Sequence, residues 1–251
     1  MTLFSAIPLG RPFDASLNGY RNDTLFYVTT VMAAVLFAIM CGILFWACVM
    51  HRAGKSQVSY ELGSSRKQLA LTVLVTAGIF FGIDGTLLYD SYADLDQSLW
   101  KFPTAAEHPL EVEVYAQQWA WNIRYAGSDG KFGTADDIVT LNELHVPVGR
   151  PVIVKLKSKD VVHSFYLPNF RVKQDAMPDV VTRMWFQAKS LGTFEIGCAQ
   201  HCGASHYKMR GLLTVDDAAT FERWLGAAQT DAQLRWDGDD AEAHWGWPWD
   251  A

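Results

Sequence analysis

Residues 25–50 are LFYVTTVMAAVLFAIMCGILFWACVM, a stretch without Asp, Glu, Lys, Arg or His. Its 26 residues exceed the roughly 20 that a helix needs to cross the hydrocarbon core of a bilayer. A cleaved signal peptide fits less well, because the run is long and 24 mixed residues precede it. The stretch therefore predicts a transmembrane helix.

A second apolar run, LALTVLVTAGIFFGIDGTLLY at residues 69–89, has Asp84 as its only charged residue. A buried core helix is an alternative, but the length favours a second transmembrane helix with Asp84 toward its outer end. The connecting residues 51–68 carry four Lys/Arg and one Glu. The positive-inside tendency makes this loop cytoplasmic, so both termini are expected outside.

The composition and charge of the chain exclude some classes of protein and partner. Of the 251 residues, 50% are hydrophobic and 13% aromatic, which excludes a mostly disordered protein. The net charge of −6 and the lack of a Lys/Arg run argue against nucleic acid as a partner. Residues 90–251 hold 15 Lys/Arg and 23 Asp/Glu. Such an acidic domain suits a basic soluble partner, although acidity serves solubility equally well.

The region after the second run is typical of β-structure. Short β-rich runs separated by Gly, Pro, Asn and Asp favour a compact antiparallel sandwich or barrel. Examples are residues 110–116, 138–144, 151–157, 180–186, 192–198 and 211–215. One helical pattern follows at residues 217–228.

We therefore expect four regions. They are an external N-terminal segment (1–24), a transmembrane hairpin (25–90), an external β domain (91–230) and a Trp-rich acidic tail (231–251). Exposed Trp side chains on a free tail would be adhesive, so we expect the tail to dock on a neighbouring subunit.

The segment GSDGKFGTADD at residues 127–137 joins two predicted strands. Asp129, Asp136 and Asp137 are oxygen ligands of the kind that Ca²⁺ prefers, but their spacing is not that of an EF-hand. Hairpin turns rich in Gly and Asp have the same composition without any ion, so calcium here is the weaker interpretation.

A second candidate metal loop is Cys198-Ala-Gln-His-Cys202-Gly-Ala-Ser-His206-Tyr-Lys-Met209. Thiols, an imidazole and a thioether are ligands that copper prefers and that magnesium and calcium do not. His163, in DVVHSFYLPNF, is a plausible distant ligand.

Three alternatives compete for this loop. In an oxidising compartment Cys198 and Cys202 can form a disulfide. A structural zinc site would leave Met209 unused, and a single blue copper would leave one Cys unused. Two copper ions bridged by both thiolates account for more of the residues. Cys41 and Cys48 lie in the first apolar run and are expected to pack or face lipid.

The chain resembles subunit II of the haem–copper oxygen reductases (cytochrome c oxidase) over residues 20–230. The two-helix hairpin, QWAW, DVVHSFYLPNF, the K-x-D-A-x-P run at 173–178 and the C-x₃-C-x₃-H-x₂-M loop occur in that order. The resemblance implies a cupredoxin domain, a Greek-key barrel or sandwich, that holds the binuclear copper centre called CuA.

The resemblance also implies a role for each candidate ligand. It makes Cys198 and Cys202 the bridging thiolates, His163 and His206 the terminal imidazoles, Met209 a weak axial ligand and the Gln200 backbone carbonyl the other. Hydrogen bonds from surrounding residues are expected to hold the His rings.

Trp119 matches the aromatic residue at which electrons from cytochrome c arrive in the family. Trp121 is two residues further on and is expected on the same side of the strand, so it is an alternative. Without the resemblance, a core role would be the simpler interpretation of either side chain.

Two positions depart from the family pattern. Gln200 replaces a Glu that also helps to bind Mg²⁺ at a subunit interface, which puts a magnesium site in doubt. Gln68 stands near the position where the family commonly has a Glu that marks a proton-uptake entrance. A Gln side chain cannot take up a proton. No C-x₂-C-H motif follows the predicted barrel, so we expect a separate haem-c donor.

The resemblance implies a subunit that accepts electrons from cytochrome c, or from a haem-c-bearing subunit, and passes them to haem in a catalytic subunit that reduces dioxygen. We expect it in a bacterial cytoplasmic membrane, in contact with lipid, with both termini on the periplasmic side. A membrane-anchored copper-binding or copper-delivery protein is the main alternative. A CuA centre serving another acceptor, as in nitrous oxide reduction, fits the two membrane helices poorly.

Overall fold

The computed structural model describes residues 10–52, 54 and 63–235. The predicted tail from residue 236 onward and residues 55–62 of the predicted cytoplasmic loop lie outside the described residues. The chain divides into a helical unit, Arg21–Trp100, and a β unit formed by the described parts of Pro8–Tyr20 and Lys101–Ala251.

Two long apolar helices confirm the predicted hairpin helices. Helix α1 is Gly19–Met50, and the second helical stretch, Arg66–Leu99, has 34 residues. This stretch consists of α2 (Arg66–Ile79), α3 (Gly85–Asp94) and a π-helical turn after each, Phe80–Asp84 and Leu95–Leu99. Both are long and apolar enough to cross a membrane.

Gln68 has a structural role at the start of α2. The Ser65 hydroxyl accepts a hydrogen bond from the Gln68 backbone N–H, and the Gln68 side-chain oxygen accepts one from the Ser65 backbone N–H, both at 3.3 Å. This reciprocal capping box satisfies backbone groups that a helix start otherwise leaves unpaired.

The β unit contains ten strands and one long helix. The strands are β1 (Leu110–Gln117), β2 (Ala120–Tyr125), β3 (Ile138–Leu141), β4 (Glu143–Pro147), β5 (Pro151–Ser158), β6 (His163–Leu167), β7 (Val172–Ala176), β8 (Thr182–Gln187), β9 (Gly192–Cys198) and β10 (Arg210–Asp216). Helix α4 is Ala218–Arg235, which begins within the predicted segment and extends beyond it.

The strands form two five-stranded sheets that face each other. One sheet has the order β3-β2-β1-β5-β8 and the other β4-β10-β9-β6-β7. Since β1 runs parallel to β5, and β4 parallel to β10, the predicted sandwich is confirmed but its purely antiparallel pairing is wrong. The predicted run 138–144 is two strands in different sheets, because Asn142 adopts a left-handed conformation between them.

Alternating side chains of both sheets form the core, as expected for a sandwich. They include Val112, Val114, Trp121, Ile123, Val152, Val154, Phe165, Leu167, Ile196 and Leu213, all fully buried. Helix α4 adds Phe221, which is buried, and Trp224, which stacks on His145 of β4 with 4.2 Å between ring centroids.

The N-terminal segment that precedes α1 is part of the β unit. Ser16 forms a β-bridge with Ala188, and Ala15 is completely buried. Asp14 forms an ion pair with Lys189, whose Nζ lies 2.7 Å from the carboxylate. The segment is therefore fixed to the domain that follows the second helical stretch.

Candidate metal centre

Two neighbouring strands bring distant candidate ligands together. His163 is the first residue of β6 and Cys198 the last of β9, and these strands pair antiparallel with Phe165 opposite Cys198. The side-chain ligand atoms of His163, Cys198 and Cys202 lie within 4.8 Å of one another. Residues far apart in the sequence therefore form one group.

The loop between β9 and β10 brings the remaining candidates to the same place. Cys202 Sγ lies 3.7 Å from Cys198 Sγ, 3.5 Å from His206 Nδ1 and 3.7 Å from Met209 Sδ. The Gln200 carbonyl oxygen lies 3.2 Å from Cys198 Sγ. All six predicted ligands thus converge, and Cys202, Met209 and His163 are buried.

His163 presents an unpaired nitrogen inside this group. Its Nε2 lies 2.8 Å from Asp160 Oδ1, and since a carboxylate only accepts, Nε2 carries the proton. In the neutral ring Nδ1 is then a lone pair that can bind a metal ion, and this atom is buried without a hydrogen-bond partner. Burial of an unpaired polar atom is costly, and a bound metal ion would remove that cost. The Asp160 carboxylate therefore provides the hydrogen bond that we expected to hold the His163 ring.

The two thiols differ in their acidity. Burial of the Cys198 thiol opposes its ionisation, but the neighbouring His163 imidazole and nearby backbone groups outweigh burial and lower the pKa of Cys198 to about 6. Burial and the adjacent Cys198 thiolate raise the pKa of Cys202 to about 12. A second thiolate therefore requires a cation at this place, and both cysteines are free thiols.

The turn between β1 and β2 covers this loop. Gln118 and Trp119 form the turn, joined by a cis peptide bond. The Trp119 indole N–H donates to the Cys202 carbonyl at 3.2 Å, and its side chain is 38% exposed. Trp119 thus connects the molecular surface with the backbone of a candidate ligand.

Gly203 makes this close approach possible. Its φ of 120° lies in the region that favours glycine. A Cβ at this position would lie 2.8 Å from Gln118 Nε2 and 3.2 Å from Trp119 Cζ2. Any other residue would push these side chains away from the loop.

The prediction that Trp119 and Trp121 share one face of a strand is wrong. Trp119 lies in the turn before β2, whereas Trp121 in β2 is completely buried. The Trp121 ring packs edge-on against Phe165, with 5.1 Å between centroids, and its centroid lies 6.1 Å from that of His163. Trp121 therefore supports the ligands from within the core.

The aspartates predicted as a calcium site do not converge. Asp136 accepts hydrogen bonds from Ser128, from Thr134 and from the backbone N–H of Asp129. Asp137 accepts from the Gly133 N–H and lies 3.5 Å from the Arg124 guanidinium. In the part of the chain that the structure describes, the only group of three candidate ligands is His163, Cys198 and Cys202. The aspartates instead hold the turn.

Sequence analysis missed Asp160, Gln118 and Gly203. Asp160 stands three residues before His163, a spacing that brings a carboxylate back to the ring in a short loop. Gln118 precedes Trp119 in the quoted QWAW segment, but nothing in its residue type indicates that the side chain turns toward Cys202.

A two-sheet β domain with a sulfur-rich group of candidate metal ligands, in a chain with two long apolar helices, is typical of a membrane-anchored metal-binding domain. The family model "Cytochrome C oxidase subunit II, periplasmic domain" matches residues 128–215. Alternative cytochrome c oxidase subunit 2 of Bradyrhizobium diazoefficiens is 33% identical over 244 residues, 86% of this chain and 83% of that protein.

Two further relatives share parts of the chain. Cytochrome c oxidase subunit 2 of Thermostichus vulcanus is 40% identical over 115 residues, 46% of this chain and 32% of that protein. The crystal structure of the periplasmic domain of subunit II of cytochrome oxidase (CoxB) of Bradyrhizobium japonicum aligns at 27% identity and a TM-score of 0.44, over 49% of this chain and 94% of that one.

The chain belongs to the cytochrome c oxidase subunit II family. It is a membrane-anchored subunit of a haem–copper terminal oxidase, which is an oxidoreductase. The resemblance seen in the sequence is thereby confirmed.

Proposed function

We propose that this chain is the electron-input subunit of its oxidase. It takes electrons from cytochrome c, or from a haem-c-bearing partner, at a CuA centre and passes them to haem in the catalytic subunit. The observation that carries this proposal is the convergence of the sulfur and imidazole ligands around a buried, unpartnered His163 Nδ1.

The ligand set fits a binuclear copper centre. Two thiols 3.7 Å apart suit a bridging role, and they are not a disulfide. His163 and His206 would each serve one ion, with Met209 and the Gln200 carbonyl as the weak ligands. A zinc site would leave Met209 without a role, although its sulfur lies 3.7 Å from Cys202 Sγ.

When bound, such a centre supplies one-electron redox chemistry at a soft, sulfur-rich site. The residues of this chain fix its surroundings. Asp160 orients the His163 ring through Nε2, and the fully buried Trp121 and Phe165 exclude water from its other side. His163 and Cys198 lie at the ends of two paired strands, so these two ligands are held on a rigid part of the fold.

Trp119 is the proposed contact for the electron donor. Its partly exposed ring can contact a soluble protein, and its indole N–H donates a hydrogen bond to the Cys202 backbone carbonyl. The acidic character of residues 90–251 supports a basic donor such as a cytochrome c.

The N-terminal segment supports the proposed orientation. The contacts of Asp14 and Ser16 with the β unit support a location of residues 10–20 and 101–235 on the same side of the membrane. Two helical crossings agree with such an arrangement, and the positive charge of loop 51–68 supports an external location of that side. We infer a periplasmic domain in a bacterial cytoplasmic membrane, bound to the haem–copper catalytic subunit.

Electron paramagnetic resonance of the purified oxidase tests the proposal. We expect hyperfine structure from one unpaired electron shared equally by two copper nuclei. Labile mononuclear copper that a chelator removes would favour the copper-delivery alternative. In the same preparation, Trp119→Phe should slow electron input and leave the copper signal unchanged.

A further inference from the structure

One backbone carbonyl in the copper loop receives two side-chain hydrogen bonds. The Cys202 carbonyl accepts from Trp119 Nε1 at 3.2 Å and from Gln118 Nε2 at 2.8 Å. A carbonyl oxygen has two lone pairs, so both donors are accommodated together. Gln118 makes the shorter of the two contacts.

Gln118 is also fixed at its backbone. Its N–H donates to Asp160 Oδ2 at 2.7 Å, while the other oxygen of the same carboxylate binds His163 Nε2 at 2.8 Å. Gln118 therefore bridges the carboxylate that holds one candidate ligand and the carbonyl of another. It is anchored at both ends although it is itself solvent-exposed.

The Gln118 amide and the Trp119 indole lie against the same point of the loop. The position of a Cβ on Gly203 would be 2.8 Å from Gln118 Nε2 and 3.4 Å from Trp119 Nε1. The amide and the indole therefore lie side by side against Gly203, and the amide holds the carbonyl that the indole binds.

We propose that Gln118 is a positioning residue for electron input, which holds the Trp119 indole against the Cys202 carbonyl. This inference rests on the proposed function. The step it serves moves one electron from a reduced donor to the oxidised centre, without a bond being made or broken and without proton transfer. Gln118 does not carry the electron; it fixes the contact through which the electron passes.

The variant Gln118→Met keeps the length of the side chain and removes its donor. Losing one ordinary hydrogen bond lowers the population of the aligned indole about fivefold, and we expect electron input to slow by that factor. Gln117→Met is the matched control. Gln117 ends β1 one residue earlier, and its side chain has no hydrogen bond in the described part of the chain.

The experiment uses the purified oxidase and follows electron input from reduced cytochrome c by stopped flow, under single-turnover conditions. Internal transfer from the copper centre to haem is recorded separately after photoreduction of that centre. We expect Gln118→Met to slow input alone, with an unchanged copper resonance spectrum and unchanged ionic-strength dependence. Gln117→Met should match the unaltered protein.

The double variant Gln118→Met/Trp119→Phe shows whether Gln118 acts through the indole. With no indole to position, the Gln118 substitution should add no further slowing to Trp119→Phe. Additive slowing, an altered copper spectrum in Gln118→Met, or equal slowing in Gln117→Met would each overturn the inference. Lack of a binuclear spectrum in the unaltered oxidase would instead refute the proposed function.

Discussion

Two loops of this domain carry candidate metal ligands, and they differ in whether those ligand atoms converge or are already hydrogen-bonded within the protein. In the loop 198–209, sulfur and nitrogen atoms converge on one point and His163 Nδ1 stays without a partner. In the loop 127–137, the carboxylate oxygens of Asp136 and Asp137 are already occupied by hydroxyls, backbone N–H groups and Arg124. Both loops have suitable residue types, but among the described residues it is the first loop that lies beside a buried ligand atom without a partner, His163 Nδ1.

The difference shows which property identifies a metal site. Residue type and spacing select candidates, whereas unmet bonding capacity in a buried place separates a site from a well-formed turn. A carboxylate that already accepts several hydrogen bonds gains little from a cation. The following experiments test this distinction, beginning with the largest expected effect.

Substitution of a bridging thiol should have the largest effect. We expect Cys202→Ser to abolish the binuclear copper resonance and electron input, because a serine hydroxyl cannot replace a soft thiolate. Cys41→Ser, in α1, is the control and should leave both unchanged. An unaltered copper spectrum in Cys202→Ser would remove this loop from consideration as the metal site.

Gly203→Ala should leave the ligands in place but move the residues that cover them. The added Cβ conflicts with Gln118 and Trp119, and the left-handed backbone costs about 1 kcal/mol or more. We expect slower electron input than in Gln118→Met, measured by stopped flow with copper retained. Gly226→Ala is the control, because a Cβ there meets open space within α4.

Asp137→Ala should destabilise the domain without affecting copper. Arg124 is buried between Glu113, whose oxygen lies 3.0 Å from its Nε, and Asp137. Removing one partner of a buried guanidinium should lower the free energy of unfolding by about 2 kcal/mol. Chemical denaturation measures this loss, and copper resonance should remain unchanged.

The exposed Asp129→Ala variant gives the comparison for that loop. Asp129 accepts a hydrogen bond from the neighbouring Lys131 N–H and is otherwise exposed among the described residues, so a change within about 0.5 kcal/mol is expected. If both variants lost copper, the two loops would not be independent. A melting temperature raised by added Ca²⁺ in the unaltered protein would restore the calcium interpretation.

The smallest expected effect concerns the pH dependence of the same turn. Hydrogen bonds from Thr134 and Ser128 lower the pKa of Asp136 to about 2. Because the folded pKa lies below the unfolded value of about 3.9, the contribution is fully present above that value and is lost as pH falls through about 2. Asp136→Asn should therefore destabilise slightly at pH 7 and not below pH 2. Melting curves at several pH values measure the difference; an equal effect at both extremes would show that ionisation is irrelevant.

Much of the architecture follows from the sequence because its signals are local. Long apolar runs specify helices by composition, and alternating residues specified most of the strands. β2, β6 and β7 lie outside the β-rich runs given above, and for β6 and β7 the reason is that HSFYL and VKQDA lie near Pro and Asn residues and lack a clear alternation. The parallel pairs β1–β5 and β4–β10 depend on contacts between distant segments, which no local pattern encodes.

The candidate site divides in the same manner. Residue chemistry pointed to the Cys, His and Met ligands, and the resemblance assigned them roles. The separation of Trp119 from Trp121 could not be predicted, because it depends on where the β1–β2 turn falls. Asp160 and Gln118 act through hydrogen bonds to residues that are distant or defined only by the folded loop.

The packing of residues 10–20 on the β unit has a consequence for biogenesis. Ser16 and Asp14 are synthesised before both helices, yet their partners Ala188 and Lys189 emerge after them. A chain inserted with its first segment on the opposite side would lack the β-bridge, the Asp14–Lys189 ion pair and the buried Ala15. Complete packing of the β domain thus depends on the first segment and the later strands being on the same side of the membrane.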